Sequence, residues 1–201
     1  MVEDKQAKNQ ADVILVENAL TSSNQFSRII EKYQEPLRRY VRRMARPNED
    51  ELDMLLQDIF IKTYENLNDF DLGLSFSSWI YRIAHNESID FHRRNKRYGG
   101  SLDDSTGDDD SLSLIETIAA DGDIITEADR HYVKKSINAI LDELDSKYRS
   151  VLVLKFIEGK DYDDISHILR KPLGTIGTLI HRAKKEFRRL VEKRGIYSGD
   201  L

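Results

Sequence analysis

The chain has no cysteine among its 201 residues, and it has only three prolines. The first absence excludes disulfides, cysteine-ligated zinc, iron–sulfur clusters and thiol catalysis. No apolar run approaches the ~18–20 residues needed to span a bilayer. The opening ten residues are charged and polar rather than a secretory leader. The expected location is the cytoplasm. Strand-like alternation of useful length is missing, which leaves an all-α fold. Catalytic signatures are missing too. The five histidines, His85, His92, His131, His167 and His181, have no HExxH or related ligand spacing, and there is neither a GxxxxGK(S/T) phosphate loop nor a GxGxxG turn. The acidic runs at Asp103, Asp104 and Asp108–Asp110 lack the glycine and closing glutamate of a calcium loop. No cofactor, metal or small-molecule substrate is expected, and the chain does not read as an enzyme.

What is present is charge, unevenly placed. The total of −5 hides three segments. Residues 1–100 hold 15 basic and 16 acidic side chains, residues 101–129 hold none and 10, and residues 130–201 hold 16 and 10. This polarity describes two working parts and an acidic connector.

The helical period is clear from Asn24 onward. Phe26, Ile29, Ile30, Tyr33, Leu37, Tyr40, Val41 and Met44 form one stripe, ended by Pro47. A second helix begins near Asn48 to Asp50, with the stripe Leu52, Leu55, Leu56, Ile59, Phe60, Thr63, Tyr64 and Leu67. Asn68 to Ser75 reads as a loop. Ser77 or Ser78 caps a third helix to about Asn95, with Trp79, Ile80, Ile83, Ala84 and Phe91 inward. Residues 1–23 have weak periodicity, with room for a short helix over Ala11–Leu20 and a mobile first third. The connector, about residues 98–126, has too little apolar content to offset its ordering entropy.

A second folded part starts at Thr126, which with Asp129 resembles a capping box. Its first stripe is Val133, Ile137, Ile140, Leu141 and Leu144. Ser146 starts the next helix, which stops at Gly159, and Asp161 starts another with Ile165, Ile168 and Leu169 inward. Lys171–Gly174 is a turn. Thr175 opens a longer basic helix with Ile176, Ile180, Ala183, Phe187 and Leu190 inward. These last two helices have the dimensions of a helix-turn-helix, whose second helix enters the major groove. The outer face then carries Thr178, His181, Arg182, Lys184, Lys185, Arg188 and Arg189. Arginine suits guanine, and threonine can serve several bases. The plain alternative is a solvated basic face. In the first part, Phe70, Phe76, Trp79, Tyr81 and Phe91 surround a place where Arg and Lys accumulate, a composition that suits unpaired bases. Aromatics at helical spacing are also ordinary core, and Phe76 and Trp79 are assigned there.

Two blocks carry a resemblance. Gln57-Asp-Ile-Phe-Ile-Lys-Thr-Tyr64, then Phe70, then Phe76-Ser-Ser-Trp-Ile-Tyr-Arg-Ile-Ala-His-Asn86 and Asp90 resemble the second region of extracytoplasmic-function sigma factors, of the sigma-70 family. Leu144-Asp-Ser-Lys-Tyr-Arg-Ser-Val-Leu-Val-Leu154, Tyr162-Asp-Asp-Ile165, Pro172-Leu-Gly-Thr-Ile176 and His181-Arg-Ala183 resemble their fourth region. The resemblance implies two small helical bundles on a flexible acidic linker: an extension over 1–23, region 2 over 24–97, the linker, region 4 over 127–192 and a tail over 193–201. It implies core RNA polymerase as a partner, through the clamp of the largest subunit and the flap, together with promoter DNA and an anti-sigma factor. Polymerase binding would fall to Leu55, Gln57, Asp58, Phe60, Ile61 and Tyr64. Asn68, Asp69, Phe70, Asp71, Ser75, Arg82, Asn86, Arg93 and Arg94 would meet the −10 element, the loop capturing a flipped base. Thr175, Thr178, His181, Arg182, Lys184, Lys185 and Arg188 would meet the −35 duplex. The acidic connector would thread toward the polymerase active centre and RNA exit path. At Gly177-Thr178-Leu179 the sequence departs from the family, which places cations there. Gly177 either weakens the helix or lets its backbone approach DNA closely. Two readings without polymerase are a stand-alone helix-turn-helix regulator and a helical adaptor for acidic partners.

Overall fold

A computed structural model describes residues 2–97 and 139–194, all of whose regular elements are helical. The connector, the Thr126/Asp129 pair, Val133 and Ile137 lie outside the described residues. The chain divides into two compact units.

The N-terminal unit packs α2 (Phe26–Ala45), α3 (Glu49–Glu65) and α4 (Phe76–Arg97) against one another. The expected stripe of α2 is buried from Phe26 to Met44, with Ile30 half-buried. Arg46 turns into the left-handed region (φ 54°) one residue before Pro47, so the helix stops where a proline cannot continue it. Asn48 and Glu51 then form a capping box, each backbone N–H donating to the other's side chain at 2.9 Å. Arg42 bonds Glu49 across the corner at 2.9 Å, and Lys62 reaches Glu87 of α4 at 2.6 Å. Three expectations on this unit change. The cap of α4 is Ser75, whose Oγ accepts from Ser78 N–H at 3.2 Å, while Ser78 itself is buried. Ile80 and Ala84 face inward as expected, but Tyr81 is buried beside Tyr40 whereas Trp79, Ile83 and Phe91 are only half-buried. The third change concerns residues 1–23. Instead of a short helix after a mobile segment, α1 runs Val2–Thr21 and lies against α2 and α4. Its buried side chains, Asp12, Val16 and Ala19, are polar or small and recur at steps of four and three, which is why the period looked weak.

The C-terminal unit begins with a helical segment ending at residue 143. Then come α5 (Ser146–Leu152), a π-helical turn (Val153–Ile157), α6 (Tyr162–Leu169) and α7 (Leu173–Lys193). Ile140, Leu141 and Leu144 are buried with Val151–Leu154 and the inner face of α7. Asp145, not Ser146, caps α5, accepting from Lys147 N–H at 3.0 Å. Gly159 supplies the left-handed stop (φ 63°) that was expected of it. The Lys160 N–H closes back on the Leu154 carbonyl at 2.9 Å. Ile165 and Ile168 are buried and Leu169 half-buried.

Candidate nucleic-acid interface

The helix-turn-helix is built by local hydrogen bonds. Asp161 caps α6 by accepting from Asp164 N–H at 2.8 Å. Arg170 ends that helix in the left-handed region (φ 51°). Ser166 then holds the turn, its hydroxyl donating to the Lys171 carbonyl at 2.6 Å and its carbonyl accepting from Lys171 N–H at 3.2 Å. α7 starts at Leu173, two residues earlier than expected, because the Pro172 carbonyl already accepts from Thr175 N–H at 2.8 Å. All five expected inward residues of α7 are buried, as is Val191.

The opposite face is open. Thr175, Thr178, His181, Arg182, Lys185 and Arg188 are exposed. Lys184 differs: it is half-buried on the flank, with Nζ 5.9 Å from the Phe156 ring centre, so it does not stand with the outermost group. Thr178 donates its hydroxyl to the Gly174 carbonyl at 3.0 Å, which leaves an oxygen lone pair and the methyl group for an approaching ligand. Arg189 is held by Glu186 through contacts of 2.6–3.1 Å, and the guanidinium keeps that carboxyl below its ordinary range. Arg194 pairs with Glu143 in the same way. A Cβ on Gly177 would lie 3.9 Å from the Tyr162 ring, in ordinary van der Waals contact.

In the N-terminal unit, a turn at Leu67–Asp69 leads into the expected loop. Asn68, Asp69 and Asp71 are exposed on it and Ser75 is half-buried. Asp71 accepts from Gly73 N–H through its side chain and from Leu74 N–H through its carbonyl, both at 2.9 Å, which shapes the bend. Phe70, expected among the −10 contacts, is a buried side chain. Its ring is buried 5.3 Å from Phe76 and 5.2 Å from Trp79, because the loop has no other apolar anchor turned inward. On α4, Arg82, Asn86 and Arg93 recur at helical spacing on one face, with Arg94 at its edge. Arg82 is half-buried, the other three are exposed, and Arg93 bonds Asp90 at 3.0 Å.

On α3, Gln57, Asp58, Ile61 and Tyr64 are exposed, whereas Leu55 and Phe60, also expected to meet polymerase, are buried in the core. Met54, which the periodicity passed over, is 65% exposed and completes an outward stripe with Ile61 and Tyr64. Its signal was its spacing of seven residues from Ile61. Among the described residues no helix is long and apolar enough to cross a membrane.

These features define a two-unit helical protein with a helix-turn-helix and an exposed basic face, and the comparisons with known proteins name its class. Residues 29–98 match Sigma-70 region 2, and residues 134–187 match Sigma-70, region 4. The ECF RNA polymerase sigma factor SigW of Bacillus subtilis is 33% identical over 165 residues, covering 82% of this chain and 87% of that protein. The ECF RNA polymerase sigma-E factor of Escherichia coli K12 is 27% identical over 179 residues, covering 87% and 91%. Among solved structures, CnrH in complex with the cytosolic domain of CnrY superposes with a TM-score of 0.66 at 22% identity, covering 91% of this chain and 98% of that one. The sigma factor RpoE of Bartonella quintana, in complex with the anti-sigma factor NepR, gives 0.59 at 18% identity, covering 83% and 96%. The chain belongs to the extracytoplasmic-function sigma factors of the sigma-70 family.

Proposed function

We propose that this sigma factor divides its task between the two units, working in the cytoplasm as a binding factor rather than a catalyst. It joins core RNA polymerase and directs initiation at promoters carrying −10 and −35 elements. The outward stripe of α3, Met54, Gln57, Asp58, Ile61 and Tyr64, docks on the clamp of the largest polymerase subunit. The loop from Asn68 to Ser75 receives an unpaired −10 base. Taking a base out of the stack costs a few kcal/mol, and polymerase binding together with the loop must offset that. The Arg82–Arg94 face of α4 follows the opened strand's backbone.

In the other unit α7 lies in the major groove at −35. Arg182, near its N-terminal half, reaches a base edge, and Lys185 and Arg188 meet phosphates. Thr178 offers an acceptor and a methyl group because its proton is committed to Gly174. The region 4 unit also touches the polymerase flap. An anti-sigma factor holds the chain inactive by covering the apolar stripe of α3, as exposed patches of this kind mark partner sites.

The observation that carries this reading is the presence of both sigma-70 regions, in order, with an open basic face on α7. Run-off transcription with purified bacterial core polymerase tests it. Promoter-specific transcripts that depend on the added chain are expected. Sequence-specific DNA binding without any effect on initiation would instead identify a stand-alone regulator.

A further inference from the structure

Asp12 is a buried carboxylate that none of the assigned tasks uses. It is 3% exposed, on the inner face of α1. Oδ1 accepts from Lys32 Nζ at 2.7 Å and Oδ2 accepts from the Tyr33 hydroxyl at 2.7 Å. Both oxygens of this buried side chain are therefore hydrogen-bonded, as burial of a polar group requires. The other face of the same pair leads to the loop. The Tyr33 hydroxyl also takes a hydrogen bond from Ser77, in the first turn of α4. The Tyr33 ring meets Phe76 edge-on at 5.6 Å, and Phe76 meets Phe70 at 5.3 Å. Phe70 is the residue by which the loop is anchored. α1 additionally packs against the Leu67–Asp69 turn that carries Asn68 and Asp69. Both ends of the loop are therefore held by groups that touch α1 or its hydrogen-bonded partner.

We propose that α1 is a positioning element for −10 recognition: Asp12, acting through Tyr33, Phe76 and Phe70, fixes the Asn68–Ser75 loop in the shape that receives the unpaired base. Asp12 and Tyr33 touch no DNA themselves. The proposal rests on the reading that this loop takes up a −10 base. It assigns residues 1–23 to the promoter-opening machinery rather than to an appendage. Lys32 provides an internal control. It holds the other oxygen of Asp12 and lies outside the Asp12–Tyr33–Phe76 path.

The test uses the full chain bound to core polymerase and fluorescent single-stranded oligonucleotides bearing the non-template −10 sequence of a promoter mapped by its transcript start. Each −10 base is substituted in turn, and the preference for the original base is read as a ratio of affinities. An Asn68→Ala, Asp69→Ala variant first identifies the position that the loop reads. At that position Asp12→Asn and Tyr33→Phe are each expected to lower the preference roughly five- to tenfold, and their double variant no further than the larger single effect. Lys32→Ala is expected to lower the melting temperature and keep the preference. Co-migration with core polymerase checks that each variant folds. If Asp12→Asn and Tyr33→Phe keep the wild-type preference while the loop variant loses it, the positioning role is wrong and α1 only stabilises the unit. If the loop variant keeps every preference, the loop reading fails and takes the proposal with it.

Discussion

The Arg149 side chain ties down two backbone carbonyls at a helix end. Its Nε donates to the Leu141 carbonyl at 2.8 Å and a terminal nitrogen to the Asp142 carbonyl at 3.1 Å, at the end of the helical segment before α5. Burial pushes the guanidinium down from its ordinary value, and only the fork geometry of arginine serves both oxygens at once. Arg149→Ala should therefore lower stability by about 2–3 kcal/mol in chemical denaturation, and Arg149→Lys should recover little of it. On the DNA face the expected effects separate by contact type. Arg182→Ala should cost about 1–3 kcal/mol and relax the preference at one −35 position. Arg188→Ala should weaken all sequences alike and reduce the salt slope by about one. A titration against single-base variants of the −35 duplex at two salt concentrations reads both. An Arg182→Ala protein with unchanged preference would refute the placement of α7 in the groove. At this scale the sequence identified the exposed cations of α7 because helical period alone decides which side faces out. It did not identify Asp12, Tyr33 as its partner, or Arg149, since their roles depend on groups brought close by folding. A trace of Asp12 was legible: it shares the i, i+4, i+7 spacing of Val16 and Ala19.

Each recognition element has its own weak point. Gly177 in α7 has the Tyr162 ring beside it on the flank between the buried and outward faces. Gly177→Ala should raise stability by roughly 0.5–1 kcal/mol and leave −35 affinity unchanged, because the new methyl meets Tyr162 in ordinary contact. A thermal melt and a DNA titration of the same variant check this. Lost DNA binding would instead mean that the backbone must approach the duplex there. The last turns of α7 rely on acids, Glu186 on Arg189 and Glu143 on Arg194. Both carboxyls lie below the ordinary value of 4.5 because of their arginines. A lowered folded value means that the stabilisation is complete above pH 4.5 and is lost as pH falls through the lowered value. Helicity of α7 followed by circular dichroism should fray at its C-terminus in that acid window, and Glu186→Gln should show the weaker state already at neutral pH. Element ends were less legible than element cores. The stripe of α7 was readable from period, yet its start moved to Leu173 and the cap of α4 to Ser75. Local hydrogen bonds of Pro172 and Ser75 decide these points, and neighbouring serines and threonines offer the same chemistry.

For the whole molecule the net charge is a poor guide and its distribution a good one. The acidic stretch over 101–129 offsets the basic α7 in the total without sharing its helix. Neutralising Asp103, Asp104 and Asp108–Asp110 should impair initiation and promoter escape in run-off assays while isolated −35 duplex binding persists; unchanged initiation would remove the connector from the mechanism. Length, the absence of cysteine, the 3.6-residue period and two motif blocks sufficed to determine an all-helical factor of this family, because solvent exclusion writes the inward face of a helix directly into residue order. Only the tertiary structure decided which members of those blocks remain available to a partner. Phe60 and Phe70 carry the motif yet are buried in the core, whereas Ile61 and Tyr64 of the same block stand outside. Only folding, likewise, set Asp12 of α1 against Tyr33 of α2, since a buried carboxylate needs hydrogen-bond donors that its own helix does not supply, and that meeting is a fact of packing.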